Sequence, residues 1–385
     1  MGEKISFLWS EYTISGVRMP LTPAAMLSDV CREGVLPPVP AVPPAPVADE
    51  SIDVSPASLS LDPTKAEQYL EAIAGGRRSF PLAYPESHTC LKVAEALLDA
   101  IWKTGHFRLG DLSLRAAWKW ASAPIGNMDT FYKSVEAASD YLDGVGVHLS
   151  ALSVTEGTAC SAAFKVALPP EEGPEPEPTD EVPWEMPFRT PHPTIGRRRR
   201  CPDKIQPETS DWLVYIPFDS CEFKLGGSLL TEALGETPAV GPDISDCDYF
   251  IDCFEIVREL IEDGVIKAGV TVGEGGLIAA LKSMATSEFG CTADISDIMK
   301  AYGEDSPVRM LFSEVPGILA QISDIDYDYV DAELLLQDVA YFPIGHPTPT
   351  GPDSGSAVSF RFDRNGGIAL ILKSLLNTQT SEGED

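Results

Sequence analysis

The segment from Phe254 to Gly317 constrains the fold of this chain more than any other part of its sequence. Apolar residues between Phe254 and Ile261 recur at the three- and four-residue spacing of one buried helix face. The next apolar stretch, Val265–Val272, is short and rich in β-branched residues, which predicts a strand. The turn Gly273-Glu274-Gly275-Gly276 follows and leads directly into a second apolar helix. A strand, a glycine turn and a helix in this order indicate an α/β unit.

The glycine turn has a functional and a structural interpretation. It places backbone N–H groups at the start of a helix, where an anion is stabilised. Glycines at such a turn also serve plain chain reversal, because glycine adopts positive φ at little cost. Beyond the helix, a second strand is predicted at Cys291–Ile295, and an exposed loop is predicted to lead to Met310–Gly317.

Composition narrows the classes of protein to which the chain can belong. Its 385 residues can hold two ordinary domains. A formal net charge of −31 argues against general binding to nucleic acids or anionic membranes. The eight cysteines show no paired C-x-x-C spacing, which favours reduced thiols in a cytoplasmic protein over a disulfide framework or a zinc site. No signal-peptide pattern or run of 18 apolar residues is present, so neither secretion nor membrane insertion is indicated.

Proline-rich segments suggest where the chain divides. Leu36–Pro46 is dominated by proline and predicts an extended linker. It is preceded by a moderately apolar lead, Lys4–Val30, which contains the aromatic stretch Phe7–Tyr12 and is either one strand or a peptide docked on another subunit. Arg197–Arg200 is either a phosphate patch or an import signal, or more simply a solvated loop that compensates the preceding glutamates. The predicted parts are a lead and linker (1–60), an N-terminal α/β domain (61–210) with a disordered-looking insert (169–207), a C-terminal α/β domain (211–375) and a tail (376–385).

Several motifs occur in the order typical of one family. An apolar strand, the turn Gly273–Leu277, a helix ending near Met284 and a Leu-Phe-x-Glu-x-x-Gly loop at Leu311–Gly317 resemble the C-terminal domain of the aminoimidazole-ribonucleotide-synthetase-like (AIR-synthetase-like, PurM-like) superfamily. Upstream, the helix start Gly126-Asn127-Met128 and the turn Leu225-Gly226-Gly227-Ser228 match in the same order. The closest resemblance is to the second half of formylglycinamide ribonucleotide amidotransferase, a purine-biosynthesis synthase. It implies a PurM-like two-domain α/β (α+β) fold with an N-terminal dimerising domain.

The resemblance also implies a vestigial site for ADP or ATP with magnesium. Glu95 matches the acidic member of a metal-ligand pair of the family, and Asp99 replaces its asparagine four positions on, so both carboxylates lie on one helix face. Such pairs are also common on any exposed helix of an acidic protein. The positions that match the nucleotide-binding elements are Gly273, Glu274, Gly275, Gly276, Lys224, Gly226 and Gly227.

Departures from the family pattern predict lost activity. Val270-Thr271 stands where the family has His-Asp, and the strand at Leu152–Ser161 lacks the family's lysine and aspartate. A hard cation needs several oxygen ligands, so the loss of a charged one weakens such a site. We therefore expect a degenerate half that has no catalytic residues, that is, a pseudoenzyme, or else a subunit of a split synthase. Such a subunit would act as an ATP-dependent ligase only together with a complementary half and a glutaminase. The alternative is a non-catalytic scaffold, a regulator or a nucleotide sensor. The expected partner is a second copy or a complementary synthase half.

Overall fold

The computed structural model describes residues 7–52, 71–73, 75–77, 79–103, 105, 107–168, 199–234, 240–350 and 358–360. These residues form a mixed α/β fold, as the sequence predicts. None of the described helices is both long and apolar enough to cross a membrane. The predicted tail, the strand predicted at Ile368–Leu372 and most of the predicted insert lie outside the described residues.

The N-terminal part is built on a three-stranded sheet of order β5-β4-β6. The central strand β4 (Ser113–Trp120) runs parallel to β5 (His148–Glu156) and antiparallel to β6 (Ser161–Val166). Burial alternates along β4, so that one face of the sheet packs on helices α2 (Pro85–Ile101) and α3 (Asn127–Gly144). The residues of β4 that alternate with the buried ones lie exposed on the opposite face.

The N-terminal lead belongs to this core. Strand β1 (Tyr12–Ile14) pairs with β2 (Val17–Arg18) and with β3 (Val47–Asp49), and helix α1 (Pro23–Val30) packs on α3. Phe7 is buried and lies edge-to-face on Phe131, with ring centroids 5.0 Å apart. The described part of the lead therefore forms two short strands and a helix on this core, and not the single strand that was one of the two predicted alternatives. The interpretation of residues 31–60 as linker is wrong at β3, because a segment that follows prolines can still pair along an open strand edge.

A second sheet consists of the four strands β7 (Trp212–Pro217), β8 (Ile266–Val272), β10 (Gly317–Ile322) and β11 (Phe342–Gly345). Its order is β11-β7-β10-β8, and all neighbouring strands are antiparallel.

Alternate residues of these strands belong to two apolar clusters. The first cluster contains residues of α2, α3 and α5 (Cys247–Glu262), and the second contains residues of α6 (Gly276–Met284) and α8 (Pro307–Phe312). The first cluster includes residues on both sides of position 210, so the predicted domain boundary, which stays a prediction, does not coincide with a gap in the core.

Short elements complete the C-terminal part. A small sheet has the order β12-β9-β13, and three further helices flank the sheets. The loop expected at Leu311–Gly317 is wrong at Leu311 and Phe312, because Ser306 caps a helix that begins at Pro307 and runs to Phe312. These remaining elements are β9 (Phe289–Ala293), β12 (Pro347–Pro349), β13 (Val358–Phe360), α4 (Leu229–Leu234), α7 (Ser296–Tyr302) and α9 (Tyr327–Leu336).

The end of the arginine run is anchored in the fold. The Arg199 guanidinium lies 5.1 Å from the Trp102 ring centroid and donates to the Gly269 carbonyl oxygen at 2.5 Å. Arg200 donates to the carbonyl oxygens of Glu262 and Gly105 at 3.3 and 3.2 Å. For these two residues the solvated-loop prediction is wrong, because their guanidinium groups satisfy carbonyl oxygens of an edge strand (Gly269) and of chain near helix ends (Glu262 and Gly105). The disordered-looking insert is likewise wrong for residues 199–207, where Cys201 and Ile205 are buried. Arg197 and Arg198 lie outside the described residues.

Candidate functional site

The glycine turn between β8 and α6 lies against helix α2. Gly275 and Gly276 have φ of 81° and 69°, so this backbone path requires glycine. A Cβ atom at Gly273 would lie 2.0 Å from Glu95 Oε1, and one at Gly276 would lie 2.7 Å from the Leu311 carbonyl oxygen. The turn is thus pressed between the N-terminal helix α2 and the loop that follows α8.

Carboxylates of the same chain occupy the N–H groups of this turn. Glu95 Oε1 accepts from the Glu274 N–H at 2.6 Å, and Glu314 Oε1 accepts from the Gly275 N–H at 2.9 Å. Glu314 Oε1 also accepts from the Leu229 N–H, at the start of α4, at 2.7 Å. Helix N-termini stabilise negative charge through their free N–H groups and their dipole. The protein therefore supplies its own anions at the place where the sequence predicts an external one.

Two cations hold these carboxylates together. Lys92 Nζ lies 2.8 Å from Glu95 Oε2 and 3.0 Å from Glu274 Oε2. The Arg77 guanidinium contacts Glu274, Glu314 and Glu232 at 3.0, 2.8 and 3.1 Å and donates to the Gly227 carbonyl oxygen at 2.8 Å. We call this set, Arg77, Lys92, Glu95, Glu232, Glu274 and Glu314, the ion cluster.

Burial sets the protonation of the ion cluster. The Arg77 and Glu314 side chains are only 7% and 5% exposed. Burial raises the pKa of Glu314 to about 7, while the Arg77 charge and the N–H donors of Gly275 and Leu229 hold that pKa down. Burial also raises the pKa of Glu95, against the opposing effect of Lys92. For Glu95 and Glu314, the charges of Lys92 and Arg77 thus oppose the protonation that burial favours.

A cavity of about 390 Å³ adjoins the ion cluster between α2, β6 and β8. It is lined by Glu95, Asp99, Gly273 and Glu274, so the structure brings the predicted metal pair and the predicted turn together. Thr271 lines the cavity where the family has an aspartate, and its Oγ1 accepts from the Trp102 indole at 2.9 Å. Within the described ranges, no three His, Cys, Asp or Glu side chains are grouped to hold a metal ion.

The other predicted nucleotide-binding residues lie elsewhere. The Gly226 backbone packs on Val240, and a Cβ atom at Gly226 would lie 2.3 Å from the Val240 carbonyl oxygen. Gly227 lines a small cavity with Glu314, and its carbonyl oxygen accepts from Arg77 at 2.8 Å. Lys224 pairs with Glu222 at 2.7 Å on the exposed side of its loop. The structure therefore does not bring Lys224 to the cavity beside Glu95.

Sequence reasoning did not single out Arg77 or Lys92. Lys92 stands three residues before Glu95 on the same helix face, a spacing that signals an ion pair. Arg77 follows the helix-ending pair Gly75-Gly76 and shows no local signal, since its partners are 150 to 237 residues away.

Comparisons with known proteins agree with this architecture. The family "AIR synthase related protein, C-terminal domain" matches residues 224–345. The probable phosphoribosylformylglycinamidine synthase, chloroplastic/mitochondrial, of Arabidopsis thaliana is 24% identical over 273 residues, which are 69% of this chain and 18% of that protein. The phosphoribosylformylglycinamidine synthase of Homo sapiens is 25% identical over 170 residues, 44% of this chain and 12% of that protein.

One solved structure with a similar chain path is Thermotoga maritima PurL complexed with ATP. It superposes with a TM-score of 0.48 and 12% identity, over 76% of this chain and 42% of that chain. The present chain therefore matches less than half of that protein, and only 18% and 12% of the two curated relatives. The chain is therefore similar to phosphoribosylformylglycinamidine synthases over a part of their length, and its residues 224–345 match the C-terminal domain of AIR synthase related proteins.

Proposed function

We propose that this chain is a catalytically degenerate AIR-synthetase-type half of the phosphoribosylformylglycinamidine synthase lineage, in which the ion cluster takes the place of a metal-bound nucleotide. The observation that supports this is the position of Lys92, whose ammonium group bridges Glu95 and Glu274 at 2.8 and 3.0 Å. A metal ion between the same carboxylates would have to displace it. The residues present do not fit magnesium, because both oxygens of Glu95 are already bonded.

Charge in the ion cluster also opposes phosphate binding. The ion cluster sets four carboxyl groups against only two cations beside the cavity, so no positive charge is left over for a phosphate. Phosphoryl transfer needs a cation and fixed positive charge around the β- and γ-phosphates. Here the positive charge is already paired with carboxylates, so independent amide-bond formation driven by ATP is not expected.

Calorimetric titration with ADP and magnesium tests this proposal. The wild-type protein is expected to show no saturable binding of magnesium-ADP. The variant Lys92→Met, which frees Glu95 and Glu274, is expected to gain measurable magnesium binding. Lys300→Met is the matched control, because Lys300 is exposed and 3.9 Å from its partner Asp297. Tight binding of magnesium-ADP to the wild type, or ATP hydrolysis that disappears in Glu95→Gln, would falsify the proposal.

A separate surface supports a role as a partner subunit. The exposed face of the β5-β4-β6 sheet carries Arg115, Lys119 and Lys165, separated by small residues. The residues of this face that stand in register with them are Ala117, Ala151, Ser153, Thr155, Ser161 and Ala163, none of which is acidic. Two copies would oppose like charges here, which favours a complementary half with an acidic face over a homodimer. A cytoplasmic location stays a prediction.

The alternative function is nucleotide sensing without hydrolysis. The 390 Å³ cavity supports it, since Phe164 and Ala162 give one wall an apolar surface suited to a base. Weak ADP binding that needs magnesium and is lost in Asp99→Ala, without turnover of ATP, would favour the sensor over the inert half.

A further inference from the structure

Helix α9 (Tyr327–Leu336) carries apolar side chains on two opposite sides. On the inner side, Val330 and Leu334 stand four residues apart, are buried and belong to the first apolar cluster. The opposite side, which we call the outer face, starts just before the helix and continues along it at spacings of four, three and four residues. Its residues are Ile325, Tyr329, Ala332 and Leu336.

The outer face is open to solvent in the described part of the chain. Ile325, Tyr329 and Leu336 are 90%, 47% and 77% exposed, and the neighbouring Leu335 is 64% exposed. A helix that is apolar on all sides is normally covered on all sides, and contiguous exposed apolar surface marks an interaction site. The outer face therefore calls for an occupant, and the function proposed above does not supply one.

Carboxylates flank the outer face on both sides. Helical geometry places Asp328 and Asp331 on one side and Glu333 on the other. None of these three forms an ion pair with a residue that the structure describes. From residue 324 to residue 338 the sequence contains no Lys, Arg or His, so the helix brings no counter-charge of its own.

Negative charge from a neighbouring helix reaches the same surface. Charge on Glu333, followed by burial and by charge on Asp263 and Glu259 at the end of α5, raises the pKa of Tyr329. The acidic surroundings of the outer face thus belong to two elements of the fold. An occupant that complements them combines apolar side chains with positive charge.

The residues that follow the last described strand have this composition. Between 361 and 376 there are three basic residues and one acidic residue, although the whole chain has a formal net charge of −31. The three basic residues are Arg361, Arg364 and Lys373. From position 368 onwards the large apolar residues are Ile368, Leu370, Ile371, Leu372, Leu375 and Leu376. All of these lie outside the described residues.

A path of contacts joins the end of β13 to the start of α9. Strand β13 pairs with β9, and Asp294, one residue beyond β9, donates its N–H to a β11 carbonyl oxygen at 2.7 Å. His346 follows β11, and its ring centroid lies 4.0 Å from that of Trp212. The Trp212 ring in turn lies 5.0 Å from the ring of Tyr327, the first residue of α9.

The intervening chain has the length that this path requires. Residues 361–367 separate Phe360, the last residue of β13, from Ile368. An extended chain of this length spans up to about 26 Å. That span is of the same scale as the path, on which each residue contacts the next.

We propose that residues 368–376 of this chain pack on the outer face of α9, with Lys373 and the two arginines beside its carboxylates. Burial of the leucines and isoleucines of this segment against Ile325, Tyr329 and Leu336 removes both apolar surfaces from water. The basic residues then offset the carboxylates of α9.

Photo-crosslinking in the full chain tests this contact directly. p-Benzoylphenylalanine in place of Leu336 is expected to form cross-links within one chain to residues 368–376, mapped by mass spectrometry after proteolysis. The matched control carries the same probe in place of Ile125, which is 74% exposed in the N-terminal part. That probe should form no cross-link to residues 368–376.

Hydrogen exchange tests the part played by charge. Lys373→Glu is expected to speed the exchange of backbone amides in 327–336 several-fold, because the reversed charge would face carboxylates. Lys300→Glu is the matched control, since it reverses the charge of a lysine on α7 that is 84% exposed, and it should leave this exchange unchanged.

Three results would overturn the proposal. Cross-links found only in covalent dimers would assign the outer face to a second copy of the chain. Cross-links from position 336 to another segment, or none at all, would show that residues 368–376 do not lie on this face. Equal effects of Lys373→Glu and Lys300→Glu on the exchange of 327–336 would mean that only the overall charge of the chain matters.

Discussion

Arg77 joins parts of the chain that are distant in sequence. Its buried guanidinium contacts Glu232, Glu274 and Glu314, which belong to three different segments. Removing one partner of a buried ion pair leaves the other charge uncompensated in a low-dielectric site. We expect Arg77→Met to lower the free energy of unfolding by about 3–5 kcal/mol in urea titrations.

The matched control is Arg18→Met, which breaks an exposed pair with Glu11. Both side chains of that pair are well exposed, at 72% and 62%. The loss of this ion pair should lower the free energy of unfolding by less than about 1 kcal/mol. Equal costs for the two variants would mean that the ion cluster does not stabilise the fold.

Glu314 should make stability depend on pH. Its pKa in the folded protein is raised to about 7 by burial, above the usual value near 4.5. The folded state therefore binds a proton that the unfolded state releases, and this contribution is complete below pH 4.5 and lost as pH rises through 7. The unfolding free energy of the wild type, minus that of Glu314→Gln, should fall between pH 4.5 and 7.5, by about 1.4 kcal/mol for each unit of pKa shift. A difference that rises with pH would show that the charge of Arg77 outweighs burial and lowers the pKa of Glu314.

At the scale of elements, helix α3 receives its N-terminal cap from another part of the chain. Its own N-cap residue is Gly126, which offers no side chain, and Asp49 at the end of β3 accepts from the N–H groups of Gly126, Met128 and Asp129 at 2.8, 2.8 and 3.2 Å. Asp49→Ala should lower the free energy of unfolding by about 1–2 kcal/mol, the usual cost of a lost cap. Glu50→Ala, at the exposed next residue, should change it little. If both variants unfold alike, β3 is not needed to cap the helix.

At the scale of the whole molecule, the basic sheet face should govern association. We expect that the wild type does not dimerise through this face at low salt. In such a dimer Arg115, Lys119 and Lys165 would face the same positively charged residues of the second copy. Mixing it with the variant Arg115→Glu/Lys119→Glu/Lys165→Glu should produce a heterodimer in analytical ultracentrifugation, and 0.5 M NaCl should weaken that heterodimer by screening. The two proteins sedimenting independently in the mixture, or a wild-type dimer that charge reversal leaves intact, would contradict this assignment of the face.

The sequence alone determined the elements whose periodicity is readable within about ten residues. The helix α5, the strand β8 and the glycine turn before α6 stand where their local patterns place them. The order of motifs along the chain also identified the AIR-synthetase-like resemblance. These features depend on short-range free energies, namely side-chain burial on one face and the φ freedom of glycine.

Only the tertiary structure decided how the candidate site is occupied. Arg77 reaches Glu274 and Glu314 across 197 and 237 residues, and Asp49 reaches its helix across nearly 80, so no local pattern contains them. Arg199, in a run that reads as a solvated loop, proves to bond to the Gly269 carbonyl oxygen. The physical reason is common to these cases. A buried charge or an unpaired backbone group is stable only when the folded chain brings a partner to it, and that partner is chosen by the packing of distant segments.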